Sequence, residues 1–143
     1  MRFDSIKEQV GNEFYPVSEK EIEEAESNLG LKFPNDLREF LLEVGYGFLK
    51  KSDNNINRIM GPASIRDARL KVIDFEFYPD IESYEEHEKD KLIFFEANES
   101  ALLLIELGEG NNGIYYDEIK IANSLEEFLR KMMDDDNYYI NME

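Results

Sequence analysis

Several groups of residues in this chain have the types that catalytic, metal or partner-binding chemistry requires. Gly108-Glu109-Gly110-Asn111-Asn112-Gly113 spells Gly-x-Gly-x-x-Gly after an apolar run. That is the spacing of a dinucleotide loop, in which a following helix N-terminus holds the pyrophosphate. Here Ile114-Tyr115-Tyr116 follows and reads as a strand, and the Glu109 carboxylate would repel phosphate. The glycines therefore predict a hairpin loop with positive φ. Asp53-Asn54-Asn55-Ile56-Asn57 puts oxygen side chains at the first, third and fifth places of a calcium loop. Arg58 stands where that loop needs Gly and Ser64 where it needs a bidentate Glu, so the segment reads as a polar surface loop. Asp134-Asp135-Asp136 has the oxygens for a hard cation, but a terminal acidic run reads first as a solvated tail. His87 is the sole histidine, which rules out a two-histidine zinc site, and the lack of cysteine rules out disulfides, thiolate metal sites and cysteine nucleophiles. No nucleophile-elbow sequence is present. The residues thus predict no catalytic group, no metal and no cofactor.

A sharper pattern is aromatic residues set among acids. Phe75, Phe77, Tyr78 and Tyr84 stand among Asp74, Glu76, Asp80, Glu82, Glu85, Glu86, Glu88 and Asp90, and Tyr115 and Tyr116 precede Asp117 and Glu118. Interfaces use aromatics as buried anchors, and an acidic rim speeds encounter with a cationic partner. The same spacing also fits Phe75, Phe77 and one of the two tyrosines as core residues, and for the Phe pair the two readings weigh equally. Overall charge favours a cationic partner: 33 acidic residues face 16 basic ones, a formal net charge of -17. Residues 73–143 alone hold 20 acids and 5 bases. Such a surface repels phosphate, which excludes binding to a nucleic-acid backbone and leaves basic proteins as the natural partners.

These residues need a scaffold, and 143 residues suit one domain with a core of ordinary size. Phe3, Ile6 and Val10 recur at helical spacing and predict a short first helix. Ser18 and Glu21 form a capping box and Val17 and Ile22 a staple, opening a helix that buries Ile22, Ala25 and Leu29, turns Glu19, Glu23, Glu24 and Glu26 to solvent, and stops at Gly30. Pro34 restarts the chain into a helix carrying Leu37, Phe40, Leu41 and Val44, ended by Gly45 and Gly47. Ile59-Met60-Gly61-Pro62 predicts a strand end and Ser64 a cap for a short helix over Ile65 and Ala68. Phe75 to Asp90 reads as an exposed loop or loose helical turn. Leu92 to Ala97, Ala101 to Leu107, Ile114 to Asp117 and Ile119 to Ile121 predict strands, and short loops between them imply an antiparallel meander. Ser124 and Glu127 open a last helix with Leu125, Phe128, Leu129 and Met132 on one face, before an acidic tail from about residue 134. The expected fold is α+β, with N-terminal helices and a C-terminal helix packed on a mostly antiparallel sheet. The first residues lack the apolar core of a signal peptide and no run approaches a membrane span, which predicts a cytoplasmic protein without membrane contact.

The order of these parts resembles the SUKH superfamily. The resemblance rests on Leu29-Gly30-x-x-Phe33-Pro34-x-x-Leu37-Arg38-x-Phe40-Leu41 with its glycine pair, on Gly61-Pro62, on Ile114-Tyr115-Tyr116-Asp117 and on Ser124-Leu125-Glu126-Glu127-Phe128-Leu129, over roughly Tyr15 to Met132. It implies a SUKH-like fold and, for the bacterial branch, a non-catalytic immunity protein that neutralises a polymorphic toxin, often a nuclease, here one with an LXG-type delivery domain. Fungal relatives, linked to regulation of cell-wall synthesis, imply the alternative of a regulatory adaptor for a host protein. The residues and the resemblance together predict binding to a cognate toxin, a basic nuclease domain, through the acidic second half. Glu82, Glu85, Glu86, Glu88 and Asp90 would steer it, Tyr78 and Tyr84 would anchor it, and Asp117 and Glu118 would add to the surface. The free oligomeric state is left open.

Overall fold

The computed structural model describes residues 3–49, 56–98, 101–110 and 112–142. Its elements are α1 (Asp4–Lys7), β1 (Glu13–Tyr15), α2 (Glu19–Leu29), α3 (Asn35–Glu43), β2 (Tyr46–Leu49), β3 (Asn57–Ile59), α4 (Pro62–Leu70), β4 (Lys91–Ala97), β5 (Ala101–Glu106), β6 (Ile114–Tyr116), β7 (Ile119–Ala122) and α5 (Leu125–Asp134). Short 3-10 turns occupy Ile73–Phe75, Ile81–Tyr84, His87–Lys89 and Tyr138–Met142. The seven strands form one antiparallel sheet in sequence order, so the fold is α+β.

Local signals account for the helices. The Ser18 hydroxyl accepts from the Glu21 N–H while the Glu21 carboxylate takes the Ser18 N–H, closing a capping box on α2. Gly30 at φ 67° ends that helix in the left-handed region. Ser124 caps α5 through the Glu127 N–H at 3.1 Å, and the Glu127 carboxylate reaches back one residue further, to the Asn123 N–H. At β4 a bulge between Ile93 and Phe95 leaves two successive residues on one side. This explains how Phe94 and Phe95 both pack on Phe128 of α5, with centroids 5.9 and 5.0 Å away. The Phe94 carbonyl accepts the Met60 N–H at 2.8 Å, which ties β4 to the end of β3.

Several expectations change. α1 is shorter than its periodicity implied, and Val10 is 89% exposed. Gly45 and Gly47 do more than end α3: they are buried, have φ of 114° and 152°, and lie where a Cβ would overlap the backbone carbonyls of Tyr15 and Glu13. Their missing side chains let β1 pair with β2, neither of which the sequence pattern announced. Glu26, expected in solvent, is buried within the α2–α3 corner, where it accepts the Phe33 N–H at 2.8 Å and pairs with Arg38 at 3.1 Å. α4 starts at Pro62 after Gly61, two residues before Ser64, because Pro suits the first helical turn.

The C-terminal acidic run is solvated only in part: Asp134 and Asp135 are exposed. Asp136 is buried and accepts from the Asn57 amide at 3.1 Å, while Tyr139 packs in the core against Tyr116. Residues 53–55 of the calcium-like loop lie outside the described residues, and Asn57 and Arg58, at its fifth and sixth places, belong to β3. Gly108 and Gly110 have positive φ and the segment runs into β6 with no helix after it; Asn111 lies outside the described residues.

Candidate partner-docking surface

The acidic aromatic segment is a strap wound in successive 3-10 turns over the sheet. A 3-10 helix repeats every three residues, so residues three apart share a face. Phe75, Tyr78, Ile81 and Tyr84 are spaced in that way, and they are the buried or half-buried side chains of the strap's first ten residues, before His87 and Glu88. The Tyr78 hydroxyl donates to the Glu96 carboxylate of β4 at 3.3 Å, and Glu96 also pairs with Arg58 across the strands. The Tyr84 hydroxyl accepts the Leu102 N–H at 3.2 Å, a group beyond the reach of β6, which pairs only with Leu104 and Ile105. Burial pushes both phenols upward from their ordinary pKa, and for Tyr78 the Glu96 charge adds to the shift. The Asp117 and Asp80 charges add to the upward push on the Tyr84 phenol, and the Leu102 N–H opposes it.

The strap thus divides the predicted site residues by height above the sheet. Glu82, Glu85, Asp117 and Glu118 are exposed and, among the described residues, have no ion-pair partner. Glu86 and Asp90 are exposed but pair with Lys89 and Lys91, each at 3.0 Å. Tyr78 and Tyr84 use their hydroxyls inward and are half-buried. Glu88, expected to steer a partner, is buried and bonded to Lys71 at 3.0 Å, since Arg69 and Lys71 at the end of α4 draw this part of the strap inward. Its pKa is raised by burial, partly offset by the Lys71 contact and the nearby Arg69.

Other residues of the same segment, noted in the sequence but not among those expected to bind the partner, also face solvent. Asp74, Glu76 and Asp80 join the exposed acids, and Phe77 is 87% exposed while Phe75 is buried, so the Phe pair splits between the two readings. The three-residue spacing held that signal: Phe77 falls off the face shared by Phe75, Tyr78, Ile81 and Tyr84. Among the described residues no three acids or histidines converge on a metal position, and no helix is long and apolar enough to cross a membrane.

Comparison with known proteins places this architecture. The chain is 58% identical over 143 residues, covering 99% of its length and 97% of the other chain, to a Bacillus subtilis (strain 168) protein named Immunity protein YxxD. No solved structure matches it. The SMI1 / KNR4 family (SUKH-1) model matches residues 16–131, from the residue after β1 to the middle of α5. With most of the chain matched in this way, the protein belongs to the SMI1 / KNR4 (SUKH-1) family.

Proposed function

We propose that this chain is an immunity protein that binds and neutralises a cognate toxin, a basic nuclease domain, in the cytoplasm. The observation carrying this reading is the set of exposed carboxylates that, among the described residues, have no ion-pair partner, Glu82 and Glu85 on the strap and Asp117 and Glu118 in the β6–β7 turn. A nuclease must present Lys and Arg to phosphates, so an acidic surface meets the same cations that its substrate would. Likeness to a protein named as an immunity protein supports the role, and charge supports the class of toxin. The chain acts by binding, without catalysis.

Co-expression with a candidate toxin domain, sought among the genes neighbouring this chain's own, tests the reading. Cells survive and the two proteins co-purify, with association slowing steeply between low and physiological salt. Death of the cells with no complex recovered overturns it.

A further inference from the structure

The strap begins with an apolar group that its core packing does not use. Phe77 is 87% exposed, Ile73 70%, Leu70 49% and Val72 38%, all within eight residues of chain at the end of α4 and the first turns of the strap. Ile73 has φ 55°, a left-handed conformation that a β-branched residue strongly disfavours. Hydrogen bonds on either side hold it there: the Val72 N–H donates to the Asp67 carbonyl at 3.1 Å, the Phe75 N–H to the Val72 carbonyl at 3.1 Å and the Glu76 N–H to the Ile73 carbonyl at 3.4 Å. Phe75, buried, pins the turn from beneath.

We infer that Ile73 and Phe77 are the apolar anchor of the docking surface, seated in a pocket of the toxin domain rimmed by Lys and Arg. This rests on the reading proposed above. The charge around the group selects the occupant: Asp74, Glu76 and Asp80 are exposed and, among the described residues, unpaired, while the nearest cations, Arg69 and Lys71, are bonded inward to Glu88. A second copy of this chain would set carboxylate against carboxylate, and an anionic membrane or nucleic acid would be repelled. A basic protein surface meets both features, with exposed apolar side chains as its centre and carboxylates as its rim.

The test measures association and dissociation of the purified chain with a catalytically inactive form of the toxin domain that the co-expression experiment identifies. Phe77→Ala and Ile73→Asn each raise the dissociation rate about tenfold or more and leave the association rate within about threefold. Asn tolerates the left-handed region, so Ile73→Asn keeps or raises the melting temperature and a loss of binding cannot be ascribed to unfolding. The Glu82→Gln/Glu85→Gln double variant does the reverse, slowing association with little change in dissociation. Dissociation of both apolar variants at the wild-type rate overturns the inference while the functional reading stands. A wild-type chain that does not bind overturns both. A wild-type dimer that Phe77→Ala converts to monomer overturns the inference by assigning the group to self-association.

Discussion

At the scale of residues, neighbouring carboxylates of one charge run have opposite fates. Glu85 stands in solvent, whereas Glu88, three residues on, is buried against Lys71. Burial disfavours the charged carboxylate, and the Lys71 ammonium restores part of what is lost. Lys71→Met removes that compensation while keeping the residue's left-handed backbone cost unchanged, and costs about 1–3 kcal/mol at pH 7. A carboxyl whose folded pKa lies above its unfolded value destabilises the fold as pH rises through the folded value and stops doing so once protonated. The variant's deficit at neutral pH therefore shrinks at a second, lower pH nearer the ordinary carboxylate range. Chemical denaturation at the two pH values measures it, and a deficit that grows on acidification would refute the pairing.

At the scale of elements, the glycines that end the α2–α3 corner hold β1 on the sheet. Gly47 faces the Glu13 carbonyl and Gly45 that of Tyr15 with no room for a methyl group, whereas Gly30, also at positive φ, has open space around it. Gly30→Ala pays only the left-handed backbone cost, about 1 kcal/mol. Gly47→Ala must also push β1 away and is expected to lose at least about 3 kcal/mol. Thermal unfolding of the two variants side by side checks the difference, and equal losses would show that β1 does not need the close approach. The strap follows the same logic of local geometry. Its three-residue repeat was present in the sequence, but 3-10 runs this long are uncommon, and the segment's acidity hides the repeat among solvent-facing residues.

At the scale of the whole molecule, charge opposes folding and favours the partner. With a net charge of -17, self-repulsion destabilises the compact chain, and salt screens it. Raising NaCl from about 0.02 to about 0.5 M should raise the melting temperature of the free protein by about 3–5 °C, the equivalent of roughly 1 kcal/mol. The same salt should weaken the toxin complex. Calorimetry of the free chain and binding measurements across the salt series check the two opposite signs, and a melting temperature that falls with salt would show that attractive ion pairs outweigh the repulsion.

The sequence by itself determined what depends on near neighbours. The capping box at Ser18, the side-chain cap at Ser124, the stop at Gly30, the strands of β4 to β7 and the excess of acid in the second half all follow from residues a few positions apart. It also carried the order of elements that marks the family. Only the tertiary structure decided what depends on distant partners: Asp136 against Asn57, 79 residues away, Glu26 folded into its corner, β1 laid on β2, and Tyr78 and Tyr84 turned inward. The reason is that a polar side chain is exposed or buried according to whether a partner arrives to bond it, and that partner comes from elsewhere in the chain. The acids that found such partners became structure, and those that found none, with Ile73 and Phe77 beside them, face solvent.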